Sequence, residues 1–190
     1  MTKKHHYFFA VKLPKEVKGF LNKWVEQHRN EFPFGRWVHL EDYHITLAFL
    51  GFAEKNRLIE ATNNIKERLS KINQFHLTLN KIGTFGSPKS PRIFWADVLP
   101  SEDLTSIQKS VYEQCIALDF ELDKKPFRPH ITLARKWKGE QPFDANSLTE
   151  VKTDKGEMIS FLVSDIVLYE SHVEETPKYR EIELIQLNER

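Results

Sequence analysis

Cysteine is almost missing from this chain: Cys115 is the only one among 190 residues. A lone thiol closes no intramolecular disulfide and builds no thiolate metal cage. No run of one charge sign and no low-complexity tract marks a disordered segment or a linker. Apolar runs are short as well. The start, Met1-Thr2-Lys3-Lys4-His5-His6, is basic, but the apolar stretch from Tyr7 to Val11 leads straight into Lys12 and Pro14. It reads as neither a signal peptide nor a membrane span, so a cytoplasmic protein is expected. Net charge is also small, 28 Lys and Arg against 27 Asp and Glu. That excludes a histone-like grip on long nucleic acid but leaves room for a local basic cleft. Gly-x-Gly-x-x-Gly, the P-loop and Gly-x-Ser-x-Gly are all absent, which leaves dinucleotide folds, NTPases and serine hydrolases without support.

What the chain does have is a pentapeptide that occurs twice. His44-Ile45-Thr46-Leu47-Ala48 returns as His130-Ile131-Thr132-Leu133-Ala134, 86 residues later. Shifting the sequence by that offset also matches Phe8 with Phe94, Ala10 with Ala96, Leu13-Pro14 with Leu99-Pro100, and Val25 with Val111. A self-match at fixed offset is the mark of a repeat. With two copies only, it predicts one bilobal domain over residues 1–190 rather than a solenoid.

Apolar periodicity fills in the lobes. Strands are expected at Tyr7–Leu13, Tyr43–Leu50, Phe75–Ile82, Ile93–Leu99, Pro129–Ala134, Phe161–Glu170 and Tyr179–Leu187. Helices are expected at Lys15–His28, Lys55–Leu69 and Ser101–Leu118, the last capped by Ser101. Phe32–Arg36 and Gly83–Pro88 read as loops, and residues 138–157 as loop-rich with at most a short helix near Ala145–Val151. The fold class is α+β: two antiparallel-rich sheets facing a central cleft, helices outside, and a pseudo-two-fold axis between.

Strand side chains alternate faces. His44, Thr46 and Ala48 should therefore share one face, with Ile45, Leu47 and Phe49 on the other; His130, Thr132 and Ala134 repeat the pattern. Isoleucine and leucine suit a core, so the His/Thr faces should converge on the cleft. Imidazole titrates near neutral pH, so one neutral and one protonated ring can serve as base and acid at a single centre. Phosphate esters need attack and departure on opposite sides of phosphorus, which a symmetric pair supplies. Thr46 and Thr132 can donate to phosphate oxygens, and a cation offsets the developing charge. Arg135 is the leading cation, although strict alternation puts it on the core face unless the strand twists or ends. Basic residues (Lys124, Lys125, Arg128, Lys136, Lys138) cluster around the second motif. Phe127 and Trp137 are the candidate base-stacking residues, with Phe49 and Phe52 as further aromatics near the motifs. The remaining histidines, His5, His6, His28, His39, His76 and His172, show no spacing that marks a metal site.

His44-Ile45-Thr46-Leu47 and His130-Ile131-Thr132-Leu133 resemble the two His-x-Thr-x motifs of the two-histidine phosphoesterase superfamily. The similarity is greatest to RNA 2′,3′-cyclic phosphodiesterases, also called 2′-5′ RNA ligase-like proteins. Phe8 to Pro14, His44 to Gly51, Pro126 to Arg135 and Leu168 to Ser171 carry it. The resemblance implies hydrolysis of 2′,3′-cyclic phosphate at RNA 3′ ends, tRNA fragments included, leaving a 2′-phosphate. It implies His44 as proton donor, His130 as proton acceptor, Thr46, Thr132 and Arg135 on the phosphate, and no metal or nucleotide cofactor. A monomer without membrane attachment is expected. Alternatives that keep the same cleft are a 2′-5′ oligonucleotide phosphodiesterase or ligase, and a non-catalytic RNA-end binding module.

Overall fold

A computed structural model describes residues 5–189; the basic residues 1–4 lie outside them. The order is β1 (His6–Lys12), α1 (Lys15–His28), β2 (Phe34–Trp37), a 3₁₀ turn at Leu40–Asp42, β3 (His44–Phe52), α2 (Lys55–Leu69), β4 (Phe75–Ser87) and β5 (Ser90–Val98). There follow α3 (Glu102–Ala117), β6 (His130–Trp137), a 3₁₀ turn at Ala145–Ser147, β7 (Ser160–Val163), β8 (Asp165–Ser171) and β9 (Tyr179–Gln186). The strands form two antiparallel sheets, β3-β1-β8-β9 and β2-β6-β5-β4-β7. The α+β class with two antiparallel sheets is the one expected.

The helices bury most of the residues that periodicity assigns to their inner faces, but Ile59 of α2 is exposed. In α1 the buried ones are Val17, Leu21, Trp24 and Val25, with Lys18 beside them. Phe20 is only partly buried. The Lys18 stem can lie in the core because its ammonium escapes sideways, donating to the Glu41 carbonyl at 2.7 Å. The Trp24 ring lies tilted against Phe94 of β5, and α3 packs on β3, where Gln108 Nε2 donates to the Leu47 carbonyl at 3.4 Å. A single apolar cluster joins β1, β3, β4, β5, β6 and all three helices. A smaller one (Phe8, Ala10, Val167 and Tyr169) covers the opposite face of the four-stranded sheet.

Both motif strands carry the same irregularity. On β1, Phe9 faces Ala48 and the next residue, Ala10, faces Thr46, so Leu47 is an extra residue. On β5, Phe94 faces Ala134 and Trp95 faces Thr132, so Leu133 is extra in the same place. A bulge of this kind reverses the alternation beyond it. Leu47 and Ala48 are both buried, as are Leu133 and Ala134, while Phe49 and Arg135 turn to the other side. This corrects the expected faces: Ala48 and Ala134 join the core, and Phe49 leaves it. Arg135 reaches the His/Thr side through the bulge, on a strand that continues to Trp137.

The repeat is shifted in the neighbouring strands. Lys12 faces His44 and Asp97 faces His130, so β1 and β5 correspond at 85 residues rather than 86. Phe9 and Phe94, both fully buried, are the equivalent pair; Phe8 lies on the other face.

Three other expectations change. Phe34–Trp37 is a strand, paired to β6 at the sheet edge despite Pro33 and Gly35. The Gly83–Gly86 stretch continues β4 into a hairpin with β5, because Gly83 leaves room for the Trp95 ring, 2.1 Å from where a Cβ would stand. The Phe161–Glu170 run breaks at Ser164, sending β7 to one sheet and β8 to the other. Near Ala145–Val151 only the 3₁₀ turn forms.

Candidate active site

His44 and His130 each open a motif strand, and the two rings are held alike. His44 Nδ1 lies 2.7 Å from the Asp42 carbonyl, and His130 Nδ1 lies 2.8 Å from the Arg128 carbonyl. A carbonyl can only accept, so each Nδ1 carries a proton and each neutral ring keeps its lone pair on Nε2. His44 Nε2 is 3.0 Å from Thr46 Oγ1, which donates to it. Both histidines, both threonines and Arg135 line one cleft of about 460 Å³. The motif strands β3 and β6 approach one another there.

The walls differ. His44 sits in an aromatic box: Phe8 at 4.8 Å, Tyr179 edge-on at 5.2 Å and Tyr169 at 5.9 Å between ring centroids. Burial there lowers its pKa to about 4, against the opposing hydrogen bond to Asp42, and the charges of His130, Lys18 and Arg135 lower it further. His130 meets the edge of Phe85 at 4.9 Å and Trp95 at 6.5 Å. Its pKa is also lowered, chiefly by burial and then by Arg135, with the bond to Arg128 opposing. Arg36, Arg135 and Lys178 bring cations to the same cleft. Burial, followed by the charge of Arg36, lowers the Lys178 ammonium. Three cations crowded with two neutral imidazoles make a cavity that favours an anion.

Asp42 ties the site together. Its backbone carbonyl fixes His44, and its buried carboxylate accepts the backbone N–H groups of Lys178 (2.9 and 3.0 Å) and Tyr179 (3.1 Å). Charge-assisted bonds of this type are the stronger ones. They dock the start of β9 against the first motif and so place Tyr179 over His44.

A family model described as the 2′-5′ RNA ligase superfamily matches residues 14–175. The chain belongs to this superfamily. A protein named RNA 2′,3′-cyclic phosphodiesterase from Geobacillus stearothermophilus is 42% identical over 180 residues, 95% of this chain and 56% of the relative. The chain thus spans a little over half of that relative's length. A Bacillus subtilis (strain 168) protein of the same name is 34% identical over 185 residues, covering 96% of this chain and 97% of the relative. The crystal structure of E. coli LigT in apo form superposes with a TM-score of 0.80 at 23% identity, over 98% of this chain and 99% of that one. The crystal structure of a Thermus thermophilus protein, TT0787, gives 0.78 at 24%, over 96% and 97%. These two show the shared fold.

In this superfamily member the remaining candidates divide. Phe127 lines a groove of about 1090 Å³ on the far side of His130, with Lys81, Trp95, Lys109 and Arg128. Trp137 does not line the cleft. Its Nε1 donates to the Gln141 carbonyl at 3.2 Å, and its ring packs on Phe34 and Phe143 beside a separate cavity. Of the basic cluster, Arg135 enters the cleft and Arg128 the groove. Sequence reasoning overlooked Arg36, Asp42, Lys178 and Tyr179. Arg36 comes in only because β2 pairs with β6 and sets it opposite Arg135, and no periodicity announces that pairing.

Proposed function

We propose that this superfamily member hydrolyses RNA 2′,3′-cyclic phosphate ends to 2′-phosphate ends, with His44 as acid and His130 as base. The observation that carries it is the pair of imidazoles, each tied through Nδ1 to a carbonyl and lining one cation-rich cleft. His130 Nε2 takes a proton from water as its oxygen attacks phosphorus. The bond from phosphorus to O3′ breaks, and O3′ takes the proton from His44 Nε2. The bond to O2′ remains. Thr46, Thr132 and Arg135 hold the non-bridging oxygens, where charge grows in the transition state. Before substrate arrives His44 is neutral at pH 7, and the bound phosphate anion favours its protonated form. The acid is thus charged by its own substrate.

The described chain works as one bilobal unit, since a continuous apolar cluster spans both sheets. It acts as a monomer in the cytoplasm on RNA 3′ ends such as tRNA fragments. Among the described residues no helix is long and apolar enough to cross a membrane. If a 5′ hydroxyl replaces water, the same imidazoles form a 2′-5′ linkage, the reaction that the superfamily's description names.

The test is incubation with a 2′,3′-cyclic nucleotide and with a cyclic-phosphate RNA end, in chelator, identifying the hydroxyl that keeps the phosphate. The 2′-phosphate should accumulate. His44→Ala and His130→Ala should each lose roughly 10²–10⁴-fold in kcat. Full activity in either variant, or binding without turnover, overturns the proposal.

A further inference from the structure

Away from the cleft, strands β1 and β8 gather a group that chain order conceals. His6 pairs with Ser171 and Tyr7 with Glu170, and this register brings His5 beside His172. Their rings lie 4.2 Å apart, tilted by 32°. The ligand atoms of His5, Glu170 and His172 all fall within 4.8 Å of one another, and all three side chains are partly buried.

We propose that His5, Glu170 and His172 form a binding site for a divalent cation of the zinc class. Two imidazoles and one carboxylate are a donor set for a borderline cation, bound at about 2.0–2.2 Å. Tetrahedral ligands at that distance stand about 3.3 Å apart, against 2.8 Å between Glu170 Oε2 and His172 Nε2 and within 4.8 Å across the whole group. Orienting partners are already in place. His5 Nδ1 donates to the Ser171 carbonyl at 3.1 Å, which leaves Nε2 as the free donor atom. Tyr7 OH donates to Glu170 Oε1 at 2.8 Å, fixing the carboxylate with Oε2 towards His172 Nε2 at 2.8 Å. Such second partners hold metal ligands in the required tautomer and rotamer. Coordination through His172 Nε2 moves the ring proton to Nδ1, which lies 3.4 Å from Glu175 Oε1. An imidazolium would instead release one proton to solvent. Water completes the coordination.

The site lies at the root of the segment 172–178, whose Val173, Thr176 and Lys178 line the cleft. A cation there clamps that segment's first residue to the start of β1. It is a structural clamp, and it is independent of the acid–base reading.

The experiment uses the full chain without an oligohistidine tag, titrated with Co²⁺ by visible absorption and with Zn²⁺ by calorimetry. One equivalent should bind, with cobalt ligand-field bands. Zinc at a hundredfold excess over Kd should raise Tm by roughly 5–10 °C. Tyr7→Phe should weaken binding roughly 10-fold, and His5→Ala by roughly 10–100-fold or more. His44→Ala and His130→Ala should bind as the wild type. Because His172→Ala could perturb the strand, His5→Ala, checked for an unchanged urea midpoint, is the deciding variant. No saturable binding, unchanged binding in His5→Ala, or binding lost with His44 or His130 overturns the proposal.

Discussion

Phe49 and Arg135 hold the same position in the two repeats, each two residues beyond a bulged leucine, and both line the cleft. The duplication therefore supplies one aromatic ring and one guanidinium where strict symmetry would give two alike. Phe49 is 52% exposed, with its ring near those of His6 and Phe8. Under the proposed function, a ring so placed would offer a nucleobase a flat surface, and the guanidinium would offer phosphate a planar fork.

Replacing the two should separate these roles. Arg135→Gln should lower kcat/KM for a cyclic-phosphate end by roughly 10²–10³-fold, mostly in kcat. Arg135→Lys should restore only part, since an ammonium cannot reproduce the fork. Phe49→Ala should raise KM by roughly 10-fold, the worth of about 1.4 kcal/mol of stacking, and leave kcat near wild type. Steady-state kinetics on a mononucleotide substrate distinguishes the two. A kcat defect in Phe49→Ala would rule out the stacking role.

Phe127 should matter only to longer substrates. It lines the groove beyond His130, together with Lys81 and Arg128, so a strand leaving the cleft on that side passes over it. Phe127→Ala should leave mononucleotide turnover unchanged and raise KM for an oligonucleotide roughly 5–10-fold, on the scale of a lost stacking contact. Trp137→Phe should alter neither.

Acidity should cost stability as well as activity. His44 has a folded pKa of about 4 against 6.5 for the free side chain, depressed first by burial. Above pH 6.5 neither state holds the proton, and the site carries no penalty. As pH falls from 6.5 towards 4 the unfolded chain takes up a proton that the folded chain refuses, so stability drops; below 4 the loss is complete. The loss is on the order of 3 kcal/mol. His130, lowered in the same direction, adds to it. Urea midpoints measured across this window should flatten in His44→Gln. Phosphate should also restore stability at about pH 5 more than at about pH 8, because an anion favours the imidazolium.

Gly83 should tolerate no side chain. A Cβ there would stand 2.1 Å from Trp95 Cη2, and Trp95 in turn lies against His130. Gly83→Ala must displace the indole and should cost roughly 1–3 kcal/mol. An unchanged urea midpoint would show that the sheet absorbs the methyl freely.

The duplicated pentapeptide makes the motif strands and their cleft-facing histidines legible, since Ile45, Leu47, Ile131 and Leu133 leave only one core side. What it could not reveal is the extra residue. A bulge leaves composition and spacing untouched and shows only in the pairing, which is why strict alternation puts Ala48, Ala134 and Phe49 on the wrong sides. Phe34–Trp37 and Gly83–Gly86 hid their strands for a related reason. Proline and glycine punctuate sequence, yet at a sheet edge or beneath an indole they suit a strand. His5 and His172 look inert along the chain because the strand pairing that joins them spans nearly its whole length. Arg36 and Lys178 became visible for the same reason, once β2 and β9 had found their neighbours.

Asp42 gives the molecule a hinge-free latch: the residue that orients the first imidazole from behind also grips the polypeptide where it re-enters 136 positions later. Whatever loosens the grip on that returning chain also unsettles the proton-carrying nitrogen. Damage to the far end of the sequence should therefore surface as misdirected proton traffic before it surfaces as unfolding.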